Sequence, residues 1–183
     1  GLSLNHLYND KENKILRGVF SEVSLHWGPS FMNEIADYIR LNFFVEAFVP
    51  LFSRETSTPV NLSLYAGSML MVDWLQGDTI PVNVRQIANS VFRKWWGLGK
   101  LIRGVEQTRY DAELKVALCN DLRLVLPVLY VTPGFTYYID VGYYNNLDGS
   151  DGDFIATTGI GLFVDVINFA QLTVYTSVIL TEE

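Results

Sequence analysis

The sequence predicts an all-β fold, an antiparallel transmembrane β-barrel of about eight strands with a long loop folded inward. Three observations predict it: a high apolar content, an alternation of apolar and polar residues along several runs, and one segment that breaks this alternation. Of the 183 residues, 49% are hydrophobic and only 18% are charged, with a mean hydropathy of +0.19. The apolar residues are too interrupted for a membrane-spanning helix, which needs about 18 in a row. Apolar residues at every second position are what a lipid-facing strand requires.

Eight segments alternate in this way, and residues typical of turns bound each of them. They cover roughly residues 1–8, 17–28, 35–50, 59–74, 111–125, 134–144, 154–165 and 168–180. In the third segment, every odd-numbered position from Ile39 to Val49 is apolar, whereas Arg40, Asn42 and Glu46 occupy even positions. A strand rises about 3.3 Å per residue, so most of these segments are long enough to cross a bilayer when tilted.

The later segments have the same two faces. In the sixth, Phe135, Tyr137 and Ile139 fall on one face, and the opposite face carries Asp140. In the fifth, Glu113 falls on the polar face. A soluble barrel or sandwich with its apolar face inward is the alternative, and the large and uniform apolar face favours the transmembrane barrel over it.

The segment from about 75 to 110 breaks the alternation. It contains Pro81, a short helix predicted around residues 82–92, and a glycine-containing run in which Gly97 and Gly99 precede Arg103. A connection this long is usually functional or disordered, and its many apolar and aromatic residues argue against disorder. We therefore expect it to fold back onto the protein, with Gly97 and Gly99 making the loop flexible and Gly99 and Gly104 letting its backbone pass close to the barrel wall.

Composition excludes several other classes of function. A net charge of −7 and an isoelectric point near 4.8 argue against nucleic-acid binding, which needs clustered lysine and arginine. The single cysteine, Cys119, excludes an intrachain disulfide, and His6 and His26 have no partners at metal-ligand spacing. No combination of nucleophile and base stands out. We expect one domain over residues 1–183, no enzymatic activity, and no cofactor or metal. Without an initial Met or a leader, the chain is expected to be mature or cut from a longer polypeptide.

Several short motifs follow one another along the chain. They are Trp95-Trp96-Gly97-Leu98-Gly99, Ile102-Arg103-Gly104, Glu113-Leu114-Lys115, Tyr138-Ile139-Asp140-Val141-Gly142 and Gly159-Ile160-Gly161. In this order they resemble the barrel of the bacterial surface antigen superfamily, the outer-membrane assembly and secretion proteins of BamA and TpsB type. That family carries (V/I)RG(F/Y) in a long loop, then Glu-x-Arg, F-x-D-x-G and G-x-G-x-R strands. The chain departs from the pattern at Val105, where the family has an aromatic residue, and at Phe163, where it has arginine.

The resemblance implies a role for individual residues. Ile102, Arg103 and Gly104 would hold the loop inside the barrel, and Asp140 and Glu113 would be the partners of Arg103. A guanidinium inside a barrel is costly unless it is paired, and carboxylates are its best partners. The pairing is therefore physically reasonable as well as implied by the family.

The resemblance also implies a function: helping to insert barrel proteins into the bacterial outer membrane, or an organellar one, or passing polypeptides across it. The implied partners are the lipid bilayer, unfolded outer-membrane or secreted polypeptides, and other subunits of an assembly complex. Family members carry POTRA modules before a sixteen-stranded barrel, whereas this chain resembles only the C-terminal half of that barrel and nothing in it resembles such a module. Two alternatives stay open: a barrel that anchors, or forms a pore for, a separate passenger or enzyme domain, and a soluble ligand-binding β-barrel.

Overall fold

The computed structural model describes residues 1–10, 15–31, 36–55, 61–85, 87–89, 94–96, 101–105, 112–126, 131–149, 152–166 and 170–181. Its strands are β1 (Leu2–Asn5), β2 (Tyr8–Asp10), β3 (Ile15–Gly28), β4 (Asp37–Glu55), β5 (Asn61–Thr79), β6 (Ile87–Asn89), β7 (Lys94–Trp96), β8 (Leu114–Val125), β9 (Val131–Asn145), β10 (Gly152–Val166) and β11 (Ala170–Ile179). The one helix in these ranges is α1 (Val82–Arg85). The described residues contain no helix that is long and apolar enough to cross a membrane.

One large antiparallel sheet contains most of these strands. Its order is β1-β3-β4-β5-β8-β9-β10-β11, and β2 pairs with β3 beyond the end of β1. The short strands β1 and β2 thus share one edge position, which gives the eight positions that the alternation predicts. The prediction of an all-β antiparallel fold is confirmed. Among the described residues, β1 and β2 form one edge and β11 the other, and backbone pairing does not join the two edges.

The two faces of the sheet differ sharply in polarity. We call the face that contacts residues 101–105 the inner face and the opposite one the outer face. In β4, Ile39 and Leu41 on the outer face are exposed, whereas Arg40, Asn42 and Phe44 on the inner face are buried, as the alternation predicts. Exposed apolar side chains continue across the outer face and include Val23, Leu25, Phe43, Leu118, Leu122, Phe135, Ile139, Ile160, Leu162, Leu172 and Val174.

The core lies on the inner face. Its larger cluster consists of Phe20, Phe44, Met71, Leu101, Ile102, Ala117, Cys119 and Ile155. A second cluster consists of Phe48, Tyr65, Val125 and Phe163, and Leu7 packs against both clusters. The larger cluster combines five strands of the sheet with two loop residues, so the loop is part of the core.

Two local predictions differ from the structure. The helix expected over residues 82–92 ends at Arg85, and the antiparallel hairpin of β6 and β7 follows it. The hairpin contains isoleucine and two tryptophans, which favour strands over helices. Strand β4 also continues past Pro50 to Glu55, with a shift of register between Pro50 and Phe52. Proline lacks a backbone N–H, and such an irregularity is where a sheet tolerates it.

Candidate functional site

A short loop segment, residues 101–105, lies against the inner face of the sheet. The side chain of Ile102 is completely buried and lies beside Gly142 of β9. A Cβ atom at Gly142 would lie 3.2 Å from Cγ1 of Ile102 and 2.9 Å from Cγ2 of Ile155, so the glycine leaves room for the loop. Gly104 has a φ of 88°, a backbone conformation that glycine adopts without the strain of a side chain.

Arg103 binds Asp140 of β9 through three hydrogen bonds. Its Nε atom donates to Oδ2 of Asp140 at 2.8 Å, and its Nη2 atom donates to Oδ1 at 2.6 Å. The backbone N–H of Arg103 also donates to Oδ2 at 3.0 Å. Asp140 is completely buried, and this forked arrangement is the strongest that an arginine and a carboxylate form. The structure thus brings together two residues that the sequence analysis singled out.

The aromatic ring of Tyr138 lies against the guanidinium of the same arginine. The guanidinium carbon of Arg103 lies 3.8 Å from the centre of the Tyr138 ring, within the range of a cation–π interaction. The hydroxyl of Tyr138 donates to the backbone oxygen of Thr176 in β11 at 3.2 Å, and the ring packs edge-on against Tyr175. The ring is therefore held by the edge strand and by the loop together.

Asp121 of β8 is the second carboxylate at this site. One of its oxygens accepts a hydrogen bond from Nη1 of Arg103, and the other accepts from Nη2 of Arg123 at 2.5 Å. We define the anchor site as Arg103, Asp121, Arg123, Tyr138 and Asp140. Its two arginines and two aspartates balance in charge. Burial alone would lower the pKa of Arg103, but its bonds to Asp140 and the charges of both aspartates raise that pKa above its usual range. Like other arginines in proteins, Arg103 is positively charged at this site.

Glu113 does not bind Arg103, which corrects the prediction. Its Oε1 atom accepts a hydrogen bond from Nη2 of Arg85 at 2.8 Å, and its Oε2 atom accepts one from the backbone N–H of Leu147 at 3.0 Å. Asp121 takes the position expected for Glu113. The sequence signal for it was present, because Asp121-Leu122-Arg123 fits an acid-x-Arg pattern at least as well as Glu113-Leu114-Lys115 does.

A second group of charges lies buried on the inner face. Asp73 of β5 accepts hydrogen bonds from Nε and Nη2 of Arg40 at 2.7 and 2.5 Å, and Nζ of Lys115 lies 3.8 Å from it. The side chains of Asp73 and Lys115 are completely buried and that of Arg40 nearly so. The alternation in β4 predicts Arg40 on the polar face of its strand, but it contains no signal for this cluster.

Gly97 and Gly99 lie outside the described residues. Cys119 is buried on β8, and its thiol donates to the backbone oxygen of Leu101 at 3.4 Å. Within the described ranges, no three His, Cys, Asp or Glu side chains come together as a metal site.

Comparisons with protein-family models, with curated proteins and with solved structures gave no match to this chain. The likeness to the bacterial surface antigen superfamily therefore depends on the order of the motifs alone.

Proposed function

We propose that this chain forms the wall of an outer-membrane β-barrel of the assembly and translocation type. In this role it assists the insertion of barrel proteins into the membrane or the passage of polypeptides across it. The observation that carries the proposal is the anchor site: a loop arginine forked onto a buried carboxylate on the inner face of an antiparallel sheet.

The polarity of the two faces supports a membrane location for the sheet. A soluble β-protein buries its apolar face and exposes its polar one, whereas here a largely apolar outer face is exposed and the buried inner face combines an apolar core with charged and polar side chains. A bilayer would cover apolar side chains such as Leu25, Leu162 and Val174, and transfer from water would contribute about 25 cal/mol per Å² of area covered. The same polarity argues against the soluble ligand-binding barrel.

The open sheet edges suggest how such a protein acts. The outward backbone groups of β1, β2 and β11 have no strand partner among the described residues. An unpaired strand edge accepts an added strand through main-chain hydrogen bonds, whatever the side chains are. In a bilayer those groups must be paired, because lipid offers no hydrogen bonds. An incoming client strand would form hydrogen bonds with these edge backbone groups while the client folds.

The anchor site would hold the loop against the wall while the edges exchange partners. Arg103 contacts β8 through Asp121, β9 through Asp140, and the Tyr138 ring that binds β11. Its loss would free the loop and also loosen the strands next to the β11 edge. Barrel activity should therefore depend on Arg103 more than on other arginines.

The test is client assembly in liposomes that contain the purified chain. An unfolded outer-membrane protein is added, and its folding is followed by heat-modifiable gel mobility and protease resistance. The chain should accelerate folding, Arg103→Ala should abolish most of the gain, and Arg17→Ala should retain it. Arg17 belongs to a Leu-Arg-Gly triplet at residues 16–18, which is similar to Ile102-Arg103-Gly104 but far from it in sequence, and its guanidinium lies 5.8 Å from the centre of the Tyr8 ring.

Two results would contradict the proposal. Acceleration that survives Arg103→Ala would mean that the anchor site has no part in the activity. A chain that inserts into the liposomes without accelerating any client would favour the alternative of an anchor or pore for a separate domain.

A further inference from the structure

We infer that the long β5–β8 connection is held at a second attachment, which positions its beginning independently of the anchor site. The second attachment consists of Arg40, Arg85 and Glu113. All of its contacts are within this chain. The inference rests on the proposed function only for its consequence, which is the control of loop movement during client assembly.

Glu113 joins three parts of the chain. Its carboxylate accepts one hydrogen bond from Arg85 at the end of α1 and another from the Leu147 amide in the β9–β10 turn. Its own backbone oxygen accepts a hydrogen bond from the Leu75 amide at 2.8 Å. The Glu113 side chain is 16% exposed and that of Arg85 is 37% exposed, so the pair is partly shielded from water. Glu113 therefore links the short helix both to β5 and to the β9–β10 turn.

Arg40 binds the same helix from the inner face. The Asp73 carboxylate fixes its guanidinium through two hydrogen bonds, and the remaining Nη1 atom lies 3.4 Å from the backbone oxygen of Val84. The last carbonyls of a helix lack partners within it, and an arginine is well suited to supply one. The buried cluster on the inner face thus has a second effect, which is to orient Arg40 towards α1.

The two attachments share no residue and lie far apart. Glu113 and Asp121 are eight positions apart on one stretch of chain, of which β8 begins at Leu114. At about 3.3 Å per residue these two are separated by about 26 Å. The nearest parts are closer: Asp73, which holds Arg40, pairs with Lys115, and Asp140 pairs with Cys119, four residues along β8 and about 13 Å away. Sites more than about 10 Å apart without shared partners usually contribute independently to stability. Residues 101–105 can therefore leave the inner face while α1 stays bound.

Independence is measured with one probe at each attachment in the full chain, reconstituted in lipid vesicles. The probe at the anchor site is the thiol of Cys119, whose rate of maleimide labelling reports loop release. The probe at α1 is a nitroxide spin label at the exposed Asn83, in a Cys119→Ser background, whose mobility reports release of the helix. Arg85→Ala and Glu113→Gln should increase spin-label mobility at least threefold and change Cys119 labelling less than twofold. Arg103→Ala should do the reverse, with labelling at least tenfold faster.

Arg85→Lys is the conservative control, because lysine keeps the charge that Glu113 binds, and it should restore most of the immobilisation at Asn83. The inference is overturned if Arg85→Ala and Glu113→Gln leave Asn83 immobile, or if any single substitution releases both probes. Client assembly is measured separately on the same variants. If the probes respond independently and no variant changes client folding, the second attachment stands and the proposed function fails.

Discussion

Replacement of Arg103 by alanine should release the loop from the inner face. The substitution removes the guanidinium that binds Asp140 and Asp121 and stacks on Tyr138. Asp140 is completely buried and would then keep only the backbone N–H of residue 103 from this contact. A buried carboxylate without its cation is the costly outcome, more so than the loss of the bonds themselves.

The size of the effect follows from the burial of the pair. Removing one partner of a buried salt bridge costs about 3–5 kcal/mol. The Arg103 side chain is 19% exposed, which favours the lower end of that range. A change of about 1.4 kcal/mol is a factor of ten in an equilibrium, so about 3 kcal/mol raises the population of released loop by roughly two orders of magnitude.

Cys119 provides an assay without any added label site. It is the only cysteine of the chain, it is 9% exposed, and its thiol contacts the backbone of Leu101. When the loop leaves, the thiol becomes open to a maleimide, and the labelling rate follows the open population. Arg103→Ala should therefore be labelled roughly 100-fold faster than the unaltered chain. Arg17→Ala should be labelled at the unaltered rate.

A labelling rate in Arg103→Ala within about threefold of the unaltered chain would refute this reasoning, provided that both proteins show the same β-type circular dichroism. It would mean that apolar packing of Leu101 and Ile102 holds the loop without the ion pairs. Combining Arg103→Ala with Asp140→Asn adds a further check. Because the two groups contact each other, the double variant should be less destabilised than the sum of the single ones.

Three further substitutions test other parts of the structure by unfolding in denaturant with lipid vesicles present. Leu118→Arg, on the outer face, should lower the free energy of unfolding by about 2–4 kcal/mol if lipid covers that face, whereas Leu147→Arg in the exposed turn should change it by about 0.5 kcal/mol or less. Equal effects of the two would contradict a lipid-facing outer surface. Gly104→Ala should lower the free energy of unfolding more than Gly149→Ala, because both glycines have positive φ but only a Cβ at Gly104 would overlap the Ser177 side chain. Backbone strain accounts for about 1–2 kcal/mol at either position. Equal losses would place Ser177 away from the loop. Asp73→Asn should cost about 3–5 kcal/mol because it leaves a buried arginine of β4 without its carboxylate; a loss below about 1 kcal/mol would show that this arginine has sufficient other partners.

The alternation of side chains was enough to predict the faces of the sheet. In β9, Phe135, Tyr137 and Ile139 were predicted on one face and Asp140 on the other, and the structure exposes the first three and buries the fourth. Successive side chains of a strand point to opposite faces whatever the partner strands are, so this information is local. Where a strand ends depends less on its local sequence. Pro50, for example, lies within β4 at an irregularity of the pairing and does not end the strand.

The partners of Arg103 could not be predicted from alternation, because alternation gives the face of each side chain but not the register between strands. Glu113 and Asp121 have the same chemistry and point to the same face, so the pattern alone does not rank them. In the structure Cys119 pairs with Asp140, which places Asp121 two residues along β8, beside Tyr138. Glu113 precedes β8 and lies near the β9–β10 turn instead. Register is fixed by the whole sheet, and a shift of two positions preserves the face while it changes every neighbour.

The central claim is that the outer face of this sheet is covered by lipid. It is tested most directly by single nitroxide labels at positions 135, 136, 137, 139 and 141 of β9, which lie outside the anchor site, in the chain reconstituted in lipid vesicles. Collisions with oxygen, which is concentrated in lipid, are compared with collisions with a water-soluble nickel chelate. We expect high oxygen and low nickel accessibility at Phe135, Tyr137, Ile139 and Val141, and low values of both at Thr136, which is buried on the inner face. High nickel accessibility at those four positions would place the outer face in water and contradict the account.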